Sequence, residues 1–235
     1  AKDMNQPVRP TQISEYARAC LDGLAAGGLG QYLSLGGAFG LAHYYEYRST
    51  HDVDAWWVEP VSSDERQRIT HLLEEILRSY GQVRTRMWGD VVSVELSGQG
   101  KAVFSFQIAH RSAELQPPLP GPWPGGIRVD SCDDLVASKM TALVERGAPR
   151  DLRDIYMLCQ SGRCDLVRCW RLWEERQRLA NETADRKRAA LAIRTHLARL
   201  EQARPLDQIA DDEERSAAEK LRTWFVMGFL HDLSD

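Results

Sequence analysis

Between positions 116 and 126 the chain carries five prolines (117, 118, 120, 122, 124) and three glycines. Proline fixes φ and has no N–H to donate, so neither a helix interior nor a central strand can run through such a stretch. It therefore reads as a loop or linker and as the natural place for a domain boundary. The two sides differ in periodicity. Before it, short apolar alternations are mixed with helical stripes; after it, every periodic segment is helical. The expected architecture is α+β: a small α/β domain over 1–115, then an all-helical domain over 127–235.

Within the first part, 11–22 reads as a helix, 32–35 as a short apolar run into Gly36-Gly37, and 38–47 as helical. The segment 51–58 reads as a strand. Its alternation puts Asp52, Asp54 and Trp56 on one face and Val53, Ala55 and Trp57 on the other. The most secure helix is 62–80. Ser62 and Glu65 form a capping-box pattern, and Ile69, Leu72, Leu73, Ile76, Leu77 and Tyr80 make one apolar stripe that ends at Gly81. Strands around 91–96 and 102–108, joined by Ser97-Gly98-Gln99-Gly100, read as a hairpin, with 83–88 as a further strand. Helices are expected over 132–146, 150–160, 165–178, 182–200 and 213–233.

At 235 residues, 43% hydrophobic and 27% charged, the chain has the balance of a soluble globular protein, and its net charge of −4 announces no nucleic-acid binder. The charge is nevertheless polarised. Residues 163–204 hold 11 Lys and Arg against 6 Asp and Glu, whereas 205–235 hold 3 against 8. The basic span reads either as a footprint for RNA phosphates or as a solvated helix surface with i,i+4 pairs. Residues 1–10 lack an apolar core of the kind a signal peptide needs. The uncharged stretch 23–45 is long enough to cross a bilayer, but its seven glycines favour a Gly-rich loop leading into a buried helix, so no membrane association is expected. Five scattered cysteines without a CxxC pair read as free thiols in a reducing cytoplasm. Cys159, Cys164 and Cys169 stand five apart, a spacing that does not share a helical face, so no metal role is expected of them.

Common catalytic signatures are missing: there is no HExxH, GxSxG, GxGxxG or phosphate-binding Walker loop. The segment from Gly36-Gly37 to Asp52-Val53-Asp54 stands out instead. Two carboxylates at i and i+2 on one strand project to the same side and can share a hard cation such as Mg²⁺ or Mn²⁺. A Gly-Gly turn at a helix N-terminus lets backbone N–H groups approach a triphosphate without Cβ interference, and Arg48 and Thr50 could hold phosphate oxygens.

Gly-Gly, about ten residues, then Arg48-x-Thr50-x-Asp52-x-Asp54 resembles the AbiEii/AbiGii family of nucleotidyltransferase-like toxins, within the DNA polymerase β-type superfamily. Downstream, Ala137-Ser138-Lys139-Met140-Thr141-Ala142-Leu143 is similar to the family's lysine-bearing helix. Arg150-Asp151-Leu152-Arg153-Asp154 is similar to its RD-x-x-D motif. The resemblance implies a minimal nucleotidyltransferase core, a mixed sheet with flanking helices, followed by a C-terminal helical bundle. It implies transfer of a nucleotide from a nucleoside triphosphate to an acceptor, an RNA such as a tRNA 3′ end, by a cytoplasmic toxin with a cognate antitoxin. Asp52 and Asp54 would bind the metal; Gly36, Gly37, Arg48, Thr50 and Lys139 would hold the nucleotide. Lys139 would share with Asp151 and Asp154 a site in which either aspartate orients the acceptor hydroxyl or acts as base. Asp151 and Asp154 are i,i+3 neighbours on one helix face, with Arg150 and Arg153 beside them to pair with these carboxylates or with phosphates.

Two departures stand against a simple transfer of function. Ala38 follows Gly37 where many superfamily members carry Ser, and Gln107 falls where such enzymes place a third strand carboxylate. A neutral amide offers one oxygen but adds no charge to a metal pair; Glu95, Asp151 or Asp154 could supply the missing charge. The alternatives are a catalytically weak nucleotide-binding regulator and an enzyme that modifies an antibiotic.

Overall fold

The computed structural model describes residues 6–231. The first five residues of the leader reading, and positions 232–233 of the last expected helix, lie outside them. The chain forms two compact units, Ala1–Leu135 and Val136–Asp235.

The first unit is built on a seven-stranded mixed sheet in the order β3-β4-β5-β2-β1-β7-β6. Its strands are β1 (Leu33–Gly36), β2 (Val53–Trp57), β3 (Gln82–Trp88), β4 (Val91–Gly98), β5 (Lys101–Ala109), β6 (Leu119–Pro120) and β7 (Arg128–Val129). β2 lies between β1, which it pairs antiparallel, and β5, which it pairs parallel. Helices α1 (Glu15–Ala26) and α3 (Ser63–Arg78) cover one face, and the short α2 (Gly37–Ala42) follows β1 directly.

The core forms where period two in the strands meets period 3.6 in the helices. Val53, Ala55 and Trp57 of β2, Val94 and Leu96 of β4, and Phe104, Phe106 and Ile108 of β5 are buried with Ile69, Leu73 and Leu77 of α3 and with Ala17, Cys20, Leu21 and Leu24 of α1. The expected capping box opens α3: the Ser62 hydroxyl accepts from Glu65 N–H, and the Glu65 carboxylate accepts from Ser62 N–H at 2.8 Å. Of the stripe, Ile69, Leu73 and Leu77 are buried, Leu72 and Ile76 partly so, and Tyr80 stays exposed and meets Tyr16 edge-on. The helix expected over 38–47 stops at Ala42.

The proline-rich stretch is not a free linker. Leu119–Pro120 pairs antiparallel with β7 as the outermost strand, where a missing N–H faces no neighbour. Buried Trp123 donates its indole N–H to His43 Nε2 at 2.8 Å, and the other ring nitrogen of His43 lies 2.8 Å from the Phe39 carbonyl. The division between units falls after residue 135, past this stretch.

In the second unit, α4 (Cys132–Glu145) continues from the first, and α5 (Pro149–Gln160), α6 (Leu166–Leu179), α7 (Arg186–Ala203) and α8 (Asp212–Trp224) follow; α8 ends in a π-helical turn, Phe225–Phe229. The core here is aromatic: Trp170 packs on Trp173 and Phe229, and Trp224 on Phe225 and Phe229. Within the basic span Arg171 pairs with Glu175 and Arg178 with Glu174 at i,i+4, and Arg186 reaches Glu174 from α7. The three cysteines share no single helix face, yet they converge. Asp165 is the N-cap of α6, which puts Cys164 one residue before the cap and Cys169 at the fourth helical position. Those two positions meet across a helix start, and the sulfurs lie 3.4 Å apart. Cys159 at the end of α5 brings a third sulfur 3.8 Å from Cys169. No helix among the described residues is long and apolar enough to cross a membrane.

Burial lowers the His43 imidazole to about 4. The unfolded chain therefore binds the extra proton between about pH 6.5 and 4, and stability is lost as pH falls through that window. His43→Gln is expected to flatten this loss, with roughly 2–3 kcal/mol less change between pH 6.5 and 4.5, as read by urea unfolding.

Candidate functional site

β2 decides where the acidic pair goes. Its burial alternates as read: Val53, Ala55 and Trp57 face the core, Asp54 and Trp56 are half-buried on the other side, and Asp52 just before the strand is exposed. Strand register sets the neighbours. Asp54 stands opposite Gly36 of β1 on one side and Gln107 of β5 on the other, with Ser93 of β4 beyond Gln107. Asp52 is tied to the same sheet, its Oδ1 accepting the Ser105 backbone N–H at 2.9 Å. Gln107 thus stands beside Asp54 in the sheet. Glu95 is aligned with Ser105 and paired to Arg86 at 3.4 Å.

The glycines make the approach possible. Gly37 opens α2 with φ +58°, and a Cβ there would sit 2.3 Å from Asp54 Oδ2. At Gly36 a Cβ would sit 2.4 Å from the Trp56 indole nitrogen and 2.9 Å from Asp130 Oδ2. The turn into α2 therefore lies directly against the acidic strand, and only hydrogen fits between them.

Behind this turn lies a buried polar group that sequence reasoning missed. Asp130, fully buried, accepts from Ser34 Oγ at 2.5 Å and is paired with the Arg111 guanidinium, which stacks over Trp56 at 5.2 Å. Tyr44 donates its hydroxyl to the Asp130 carbonyl. Burial pushes the Asp130 carboxyl up, against Arg111 and Ser34, which favour its ionised form. Asp134, also buried, accepts from Leu115 N, Gln116 N and Ser131 Oγ, and thereby anchors the start of the proline-rich segment. One signal was available: Ser131-x-x-Asp134 is a capping pattern ahead of α4.

Arg48 rests against the Tyr47 ring at 5.9 Å. The Thr50 hydroxyl and the Trp56 indole N–H are buried without a hydrogen-bond partner. A groove of about 850 Å³, lined in part by Trp57, His71, Leu72, Met87 and Val92, belongs to the opposite face of the sheet from Asp54.

The remaining candidates belong to the second unit, and there they form pairs. Lys139 Nζ lies 2.6 Å from Asp154 Oδ2, with the carboxylate 1% and the lysine side chain 12% exposed. Burial pushes the Asp154 carboxyl up to about 7; the ammonium against it favours the charged form. Asp151 is held by Arg146 in a two-pronged contact at 2.8 and 2.6 Å, and by the Ala148 N–H at 3.0 Å. Burial acts to raise its carboxyl, but these donors outweigh burial and hold it below the usual range. The i,i+3 face of α5 thus turns inward, while Arg150 and Arg153 are exposed. Asp151 thus pairs with Arg146, and Asp154 with Lys139.

These residues suit a divalent ion. Asp54 on β2 and Asp52 just before it offer hard oxygens, Gln107 adds an amide next to Asp54, and Gly37 packs closely against Asp54 Oδ2. Among the described residues no group of three or more His, Cys, Asp or Glu could hold a metal. The chain thus brings two carboxylates, the number with which Mg²⁺ commonly binds when substrate phosphates complete its shell.

The AbiEii family model, described as the nucleotidyl transferase AbiEii toxin of type IV toxin–antitoxin systems, matches residues 19–225. Among solved structures, a Helicobacter pylori protein described as a candidate nucleotidyltransferase shares the fold at TM-score 0.50 and 15% identity, over 92% of this chain and 93% of that one. JHP933 from Helicobacter pylori matches at TM-score 0.49 and 14% identity, over 94% and 96% of the two chains. Cid1 poly(U) polymerase with MgGTP bound matches at TM-score 0.25 and 20% identity, over 43% of this chain and 34% of its own. No curated protein sequence matches the chain.

Two substitutions test the geometry. Gly37→Ala adds a Cβ against Asp54 at a positive φ, and a loss of roughly 1–3 kcal/mol in unfolding free energy is expected. Asp154→Asn removes the negative charge against Lys139, with an expected loss of about 3–5 kcal/mol; Lys139→Met with Asp154→Leu should recover most of it in a double-mutant cycle.

Proposed function

We propose that this chain, which belongs to the AbiEii family of nucleotidyl transferase toxins, transfers a nucleotide from a nucleoside triphosphate to an RNA acceptor such as a tRNA 3′ end, and that a cognate antitoxin restrains it. The observation that carries the reading is the contact between the Gly36-Gly37 turn and Asp54: a glycine bend, two carboxylates and a polar sheet face converge within one unit.

Asp52 and Asp54 hold Mg²⁺ or Mn²⁺. When bound, the ion supplies positive charge to the phosphate oxygens. The chain's own groups do the positioning. Ser105 N–H orients Asp52, and the backbone at Gly36 and Gly37 admits the phosphates close to Asp54. Arg48 brings a positive charge, and the Thr50 hydroxyl has a free donor. The acceptor hydroxyl attacks the α-phosphorus in line and pyrophosphate leaves, so the rate rests on alignment and charge stabilisation. The assigned roles of Lys139, as a phosphate contact, and of Asp151 or Asp154, as the group that orients the acceptor, belong to the same reading.

The test uses purified chain, labelled nucleoside triphosphates, Mg²⁺ and total tRNA. Label transfer is expected, and Asp52→Asn or Asp54→Asn should each reduce it by about a hundredfold or more, equivalent to a few kcal/mol. Transfer unchanged by either substitution overturns the assignment.

Gln107 favours a second reading, a nucleotide-binding regulator too weakly charged for turnover. That reading expects Mg²⁺-dependent nucleotide binding by calorimetry and no product with any acceptor. Gln107→Glu adds a charge beside Asp54 and is expected to tighten Mn²⁺ binding by roughly tenfold, about 1.4 kcal/mol.

A further inference from the structure

The start of α6 holds a feature that nucleotide transfer does not use. Three thiols from two helices and the turn between them converge: Cys164 and Cys169 sulfurs 3.4 Å apart, and Cys159 3.8 Å from Cys169. Cys169 is fully buried at the centre. Cys159 and Cys164 line a concavity of about 360 Å³ together with Gln160, Arg163, Arg168 and Trp224.

Reactive thiols sit in electropositive, partly accessible surroundings, and redox-sensing ones stand next to a resolving thiol. Here Cys164, 5% exposed, borders the concavity beside Arg163 and Arg168 and stands next to a second thiol. The hydrogen bond from Cys169 is the largest influence holding the Cys164 thiol below its usual range; burial opposes it and the Arg168 guanidinium assists. The contacts with Cys159 and Cys164, and burial, push Cys169 up. The two thiols thus have unlike environments.

We propose that Cys164 and Cys169 form an oxidation site at which a peroxide closes a reversible disulfide across the first turn of α6. The Cys164 thiolate attacks one peroxide oxygen; the O–O bond breaks, and the departing hydroxide takes up the thiol proton as water, leaving a sulfenic acid. The Cys169 sulfur then attacks the Cys164 sulfur, forming the S–S bond and releasing a second water. Two thiols and one hydrogen peroxide give one disulfide and two waters. Access is from the concavity to Cys164, and the buried Cys169 is the resolving partner.

Trypsin separates the three cysteines, because Arg153, Arg163, Arg168 and Arg171 bound the peptides 154–163, 164–168 and 169–171. The full chain is treated with hydrogen peroxide near stoichiometry, its free thiols are blocked with N-ethylmaleimide, and it is digested without reduction. The expected product is 164–168 joined to 169–171, two mass units below the reduced pair and lost on treatment with dithiothreitol. Cys164→Ser should abolish it and slow peroxide consumption by about tenfold or more, whereas Cys20→Ser leaves both unchanged. Three results overturn the proposal: a dominant link between 154–163 and 169–171, equal oxidation of all five thiols, or full maleimide labelling of Cys164 and Cys169 after peroxide. The mapping of the unsubstituted chain decides the matter even where a serine variant fails to fold.

Discussion

The pleat of a single five-residue strand governs this protein. β2 sits in the interior of the sheet with a partner on each side, so its backbone donors and acceptors are committed to ladders and its side chains have only two directions. One direction is filled by Val53, Ala55 and Trp57, whose burial against α1 and α3 fixes the strand in register. The other necessarily receives Asp54, and Asp52 before it. A shift of one residue would send the carboxylates into an apolar core and the valine outward, which neither side tolerates. The hydrophobic core therefore aims the acidic pair.

Charges taken out of water complete the arrangement, and each is answered locally. Arg111 and Asp130 meet behind the Gly36 turn, with Ser34 and Tyr44 adding hydrogen bonds. In the second unit Lys139 meets Asp154, and Arg146 meets Asp151. Buried pairs of this kind contribute little net stability compared with apolar replacements, but once present they penalise every arrangement in which one partner is left alone. They hold particular loops and helix ends to one geometry. For Lys139 the consequence is specific: its charge is balanced by the Asp154 carboxylate.

Much of this was legible in the order of residues, for identifiable reasons. Alternation in 51–58 gave the two faces of β2 because both faces carry unlike side chains. Ser62 and Glu65 marked the start of α3 because capping is a local hydrogen-bond exchange. Gly36-Gly37 stands out as a bend without Cβ atoms, although the close contact of Gly37 with Asp54 is a matter of tertiary structure. Other features depended on contacts distant in sequence. The fate of the proline-rich stretch turns on Trp123 reaching His43, 80 residues away, and no local pattern encodes that bond. Asp130 carries no periodic signature, and its partner Arg111 lies on the other side of the proline cluster. The convergence of the cysteines is hidden from a helical wheel, which applies only inside a helix, because Cys164 stands just before one. α2 is shorter than the pattern implies because Tyr44, Tyr45 and Tyr47 continue it after the backbone has left the helix.

The two borders of the sheet are built from different chemistry. On one, β6 is two residues long and contains a proline, so it offers almost nothing to an incoming chain. On the other, β3 runs for seven residues with most of its side chains exposed, Arg84 and Arg86 on one face and Met87 on the other. Any lateral growth of this sheet, whether by self-association or by borrowing a foreign segment, is confined to that single side, and there the guanidiniums select against a like-charged newcomer.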